Sequence, residues 1–152
     1  MDIPKLKEEI NNDPLGRGYS AMDDAAVASS LNVADRSRIV EITSAKLLAW
    51  SAGASVGDRP RLIKIDEASA SHASEDVKAV ASVCAEMVRR HGTSIDLNLA
   101  DHVALLDALV AGGVLSSDDK TDLLQLASES ISRADELGIG LVRPGDVIQA
   151  RM

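Results

Sequence analysis

The chain has no phenylalanine, one tyrosine (Tyr19), one tryptophan (Trp50) and one cysteine (Cys84) in 152 residues. A lone cysteine closes no intramolecular disulfide, which excludes a secreted, thiol-stapled scaffold. No apolar run approaches the roughly 20 residues that cross a bilayer as a helix. The opening Met1-Asp2-Ile3-Pro4-Lys5-Leu6-Lys7 lacks a signal-peptide core, so a soluble product of the cytoplasm is expected. Basic residues are also scarce: 16 Lys and Arg against 24 Asp and Glu leave a net charge of −8. Phosphate needs a basic surface and bases need stacking platforms, so neither nucleic acid nor a membrane is an expected partner.

What remains is aliphatic. Alanine (22), leucine (17), valine (13) and isoleucine (10) make up most of a hydrophobic fraction of 45%, enough for a finely grained core without rings. Their spacing is helical nearly throughout. Ile3, Leu6 and Ile10 share a face behind an Asp2 cap, and Asp13-Pro14 ends that helix. Ser20 and Asp23 read as a start signal for a second helix, stopped near Asn32. Thr43 or Ser44 caps a third, which holds Leu47, Leu48 and Trp50 and closes at Gly53. Ser74 caps a helix carrying Val77, Val80, Ala81, Cys84, Met87 and Val88, with Arg89, Arg90 and His91 in its last turn and Gly92 as its stop. Asn98 caps the next, and Ser116 or Ser117 opens one on which Leu123, Leu124, Ala127 and Ile131 face inward. Ser132 and Asp135 begin a short helix stopped by Gly138, and Arg143-Pro144-Gly145-Asp146 introduces a last one.

Two stretches leave strand and helix open. Ile39, Val40 and Ile42 suit a short strand or an extended connector. Leu62-Ile63-Lys64-Ile65 is β-rich, but Asp58 and Pro60 favour a helix running to about Ala70. The expected fold is therefore all-α: one compact domain, residues 1–152, of seven or eight short helices with antiparallel neighbours. Its weakest seam is Ala68 to Ser74. The segments 1–20 and 132–152 are its candidate docking elements.

Chemistry is sparse. His72, His91 and His102 have no metal-ligand spacing, and Cys84 sits on an inner stripe, as a core residue does. Asp23-Asp24 and Asp118-Asp119 stand where a helix dipole favours carboxylates. Arg59, Arg61 and Lys64 lie among acids and suit surface ion pairs or an acidic partner. No phosphate loop, nucleophile elbow or calcium loop is present. No catalytic residue, cofactor or metal is expected.

Two segments are richer than a connector requires. Asn12-Asp13-Pro14-Leu15-Gly16-Arg17-Gly18-Tyr19-Ser20 holds the only tyrosine, with two glycines and an arginine. Ser132 through Arg151 repeats cap, short helix and glycine stop. Tyr and Arg are enriched at interface hot spots, so Asp13, Arg17, Tyr19, Arg133, Arg143, Asp146 and Arg151 are the candidate interaction residues. On that reading Tyr19→Ala and Arg17→Ala weaken assembly but leave the melting temperature nearly unchanged.

These segments also carry a resemblance. The run Asn12 to Tyr19 with Met22-Asp23-Asp24-Ala25, and the ending Ile131-Ser132-Arg133-Ala134-Asp135-Glu136-Leu137-Gly138 with Val142-Arg143-Pro144-Gly145-Asp146-Val147 and Ala150-Arg151, resemble the ends of small proteins encoded among the virion genes of tailed bacteriophages. The middle of the chain has no part in the resemblance. It implies a non-enzymatic structural component of a phage particle, in the tail, the fibre-attachment region or the head–tail junction. Its partners would be other phage structural proteins and further copies of itself, and it would be made in the host cytoplasm. The alternative is a soluble helical assembly factor or host-interaction adaptor that is not retained in the virion.

Overall fold

The computed structural model describes residues 1–90 and 94–152. His91 and Gly92, expected to finish a helix, lie outside them. Among the described residues are nine α-helices and two short strands, β1 (Arg36–Ile39) and β2 (Ser128–Ile131), paired with each other in antiparallel fashion. The protein is thus mainly helical rather than strictly all-α. The helix expected to continue through Ile131 stops at Leu126, and the residues after Ala127 become β2. Of the two open stretches, β1 overlaps the first, and the second is helical, Arg61–Ser71.

The chain forms two compact units. They divide at 38/39 and 129/130, not at the Ala68–Ser74 seam, which lies inside the second unit.

The first unit, Met1–Arg38 with Ser130–Met152, contains α1 (Ile3–Asn12), a 3₁₀ turn (Tyr19–Ala21), α2 (Asp24–Asn32), α8 (Arg133–Glu136) and α9 (Pro144–Arg151). Its caps follow local rules. Asp2 accepts the Lys5 amide at 3.1 Å. Ser132 and Asp135 form a reciprocal capping box on α8. The second helix is capped by Asp23 rather than by Ser20, which belongs to the 3₁₀ turn. Leu6, Ile10, Val27, Leu31, Ile139 and Val147 bury the apolar faces, and Tyr19 completes that cluster.

The second unit, Ile39–Glu129, contains α3 (Ser44–Ala52), α4 (Arg61–Ser71), α5 (Glu75–Arg89), α6 (Ala100–Ala111) and α7 (Ser117–Leu126). Thr43, Ser74 and Ser116 cap α3, α5 and α7 as their positions predict. Asn98 does not cap α6; Leu99 holds that position, and Asn98 donates to Ile39 O at 3.2 Å. Trp50 is the one ring of this core, among Leu47, Ile65, Leu106, Leu109 and Leu123. Small residues let helices approach closely. A Cβ at Gly112 would stand 2.9 Å from both methyls of Val77. Gly112→Ala should therefore lower stability by about 1–3 kcal/mol through overpacking. Urea unfolding checks this, and an unchanged midpoint would mean that Val77 has room to move.

Candidate functional site

All seven residues named as interaction candidates belong to the first unit. The turn after α1 is built from its own side chains. Asp13 adopts a left-handed backbone (φ 41°), a conformation Asp tolerates. Its carboxylate accepts the amides of Arg17 at 2.8 Å and Gly18 at 2.6 Å. Gly18, at φ 79°, takes a turn that any side chain would strain. Arg17 then reaches α2: Nη1 donates to the Ser30 carbonyl and Nη2 to Asp35 at 2.8 Å.

This geometry turns Tyr19 inward. The side chain expected on a contact surface is 0% exposed. The 3₁₀ turn aims the ring into the cluster of Leu6, Leu31 and Val147, where an aromatic ring gains more from burial than from solvent. Its hydroxyl is buried and, among the described residues, has no hydrogen-bond partner. Burial pushes its pKa up to about 12. Tyr19 is a core element of its unit, and Arg17 a brace.

The C-terminal candidates divide. Arg151 closes the unit, donating to the carbonyls of Tyr19 at 2.8 Å and Met22 at 2.9 Å and to Asp24 at 2.6 Å. Arg143 and Asp146 stand apart and start α9, with Asp146 accepting the Arg143 amide at 2.8 Å. Arg133 joins Glu9 instead. It donates Nε–H and Nη2–H to the two Glu9 oxygens at 2.9 and 2.7 Å and Nη1–H to Glu136 at 2.8 Å. Those carboxylates raise the arginine's pKa, the Glu9 bonds most. Glu9, only 4% exposed, was not singled out from the sequence. Its signal was its place three residues after Leu6, on the buried face of α1. The pair lines an open groove of about 320 Å³ together with Lys5, Asn12 and Pro14.

A second buried charge cluster lies in the second unit, around Asp119, which is 0% exposed. Its Oδ1 accepts from Arg61 Nε at 2.7 Å and Ser55 Oγ at 2.8 Å; its Oδ2 accepts from Lys64 Nζ at 2.7 Å and the Ser116 amide at 2.9 Å. Burial by itself would raise the pKa of this carboxyl. The donors, Lys64 foremost, overcome that and hold it well below the usual range. Arg61 also donates to Trp50 O at 3.0 Å and to Asp122, and lies over the Trp50 ring, 5.2 Å from its centre. The capping role read for Asp119 holds. The surface role read for Arg61 does not, because the first turn of α4 buries the guanidinium between the Asp119 carboxylate and Trp50.

Chemically, the Asp119 cluster is saturated. All four acceptor positions of Asp119 are filled by protein donors, which leaves none for a substrate. His72 takes the Ser74 amide on Nδ1 at 3.0 Å, so its Nε2–H donates to Gly112 O at 3.0 Å. His102 takes the Asp96 amide in the same way. Cys84 lines an apolar cavity of about 30 Å³ beside Trp50 and Leu109. Burial pushes its thiol up to about 11, far from a nucleophile's range. Among the described residues, no three His, Cys, Asp or Glu side chains gather as metal ligands would. No protein-family profile, curated protein or solved structure matches the chain.

Proposed function

We propose that the protein is a non-enzymatic structural component of a tailed-phage particle, acting through protein–protein contacts and present there in several copies. One observation carries the reading. The two end segments that resemble phage virion-gene products are far apart in the chain but fold into a single unit. Arg151 on Tyr19 and Met22, and Asn32 paired both ways with Val142 at 2.7 and 3.0 Å, join them. A unit that holds Arg17, Arg133 and Arg151 with its own carboxylates and carbonyls suits a rigid docking element more than a reactive site.

With Tyr19 buried, the contact falls to apolar side chains that the unit leaves outside. Leu141 is 69% and Ile148 51% exposed. Leu141→Asp and Ile148→Asp should leave the melting temperature within about 2 °C, since exposed substitutions change stability by only about 0.5 kcal/mol. Both should reduce incorporation into particles, read by quantitative mass spectrometry. Normal incorporation of both variants would remove this surface from the contact. Absence of the unaltered chain from purified particles would overturn the particle reading.

The adaptor reading draws on the acidic balance of the second unit, fourteen acidic against eight basic residues. Such a charge steers transient encounters with a basic partner. A stable soluble complex with a single phage or host protein, recovered from infected cells, would favour it.

A further inference from the structure

The hydrophobic cluster of the second unit shares no residue with that of the first. Each unit contains its own buried ion pair, Glu9–Arg133 in one and Arg61–Asp119 in the other. The helices that pack most extensively, α4 on α5 and α1 and α2 on α9, do so within one unit. The chain enters and leaves the second unit at one place. Val40 N–H donates to Ala127 O at 2.7 Å, immediately beyond the paired ends of β1 and β2. Two points joined by a backbone bond across antiparallel strands are as close as the ends of a hairpin turn.

We infer that the second unit, residues 39–129, is a guest module inserted into the sequence of the first and folding independently of it, and that the host, residues 1–38 and 130–152, carries the particle contact without it. The assignment of the contact rests on the particle reading above. The modular fold does not.

The intact chain tests this through one core truncation in each part. Leu31→Ala removes a fully buried host side chain, and Leu109→Ala one in the guest core. Each should raise local amide exchange roughly a hundredfold, as a buried Leu→Ala cavity does. In Leu109→Ala the increase should fall on α3 to α7, with α1, α2 and α9 unchanged. In Leu31→Ala the pattern should reverse, and it counts even if the host unfolds, because the guest must then keep its protection. An equal increase across both parts in either variant would overturn the modular fold. Particle incorporation separates the second claim. Leu109→Ala at the unaltered copy number supports a host contact, and its loss from particles that retain the unaltered chain overturns it. If the unaltered chain is itself absent from particles, the particle reading and the host contact fail together, while the exchange pattern still decides the module.

Discussion

Asp119→Ala is expected to destabilise the second unit by about 3–5 kcal/mol, because it strips the fully buried counter-ion from Arg61 and Lys64 and leaves them only the more exposed Asp122 and Asp58 as partners. It also removes the reciprocal cap of α7 and the acceptor of Ser55. Asp119→Asn should fall between the two proteins, since an amide oxygen still accepts while the charge is gone. Urea unfolding at pH 7 reads the difference, and a loss under about 1 kcal/mol would mean that the cluster behaves as a surface ion pair. The pH dependence has a definite sign. The folded pKa of Asp119 is depressed, so its contribution is complete above about pH 4, the unfolded carboxylate value, and is lost as pH falls from there toward the folded one. The gap between Asp119→Ala and the unaltered chain should therefore shrink in acid.

Tyr19 gives the second large effect and separates two roles for one residue. If the ring anchored a partner, its removal would leave folding intact. Buried in its own unit, Tyr19→Ala should instead lose about 3–5 kcal/mol, as for a core aromatic. Tyr19→Phe should be neutral or stabilising by about 1 kcal/mol, because it deletes a buried hydroxyl that has no partner among the described residues. Thermal unfolding followed by circular dichroism measures both. A loss of 1 kcal/mol or more in Tyr19→Phe, on the scale of about 1 kcal/mol for one net hydrogen bond, would show that the hydroxyl has a partner after all. Alkaline pH adds a check. A folded pKa of about 12 above an unfolded value of about 10 means stability present below pH 10 and lost as pH rises through the folded value. That component should vanish in Tyr19→Phe.

Local signals in the sequence were read well where the structure obeys local rules. The caps at Asp2, Thr43, Ser74, Ser116 and Ser132, and the aliphatic stripe of α5, depend on residues three or four positions apart. The glycine stop after α3 is equally local. Strand β2 failed for the opposite reason. Its residues Ser128-Glu129-Ser130-Ile131 carry no alternation of their own and become a strand only because β1, distant in the chain, pairs with them. The division into two units was hidden likewise, since the first unit is assembled from both ends of the chain.

The candidate site was legible in part. The two segments stand out in the sequence, because glycines and capping residues mark an unusual turn wherever it points. The inward aim of Tyr19 was not legible, since it follows from the left-handed step at Asp13 and from packing against a helix near the opposite end of the chain. The burial of Glu9 and Arg61 was not legible either, since charged side chains ordinarily stay in water. Each is buried because a partner of opposite charge, Arg133 or Asp119, comes from a distant segment.

The central claim is that the chain works by holding a fixed place among other subunits. Quantitative mass spectrometry of gradient-purified particles tests it most directly, with the protein measured against a major structural subunit of the same particles. The account predicts a constant ratio between independent preparations, as ring or shell symmetry imposes. A protein absent from particles, or present in amounts that vary between preparations and fall with washing, would contradict it.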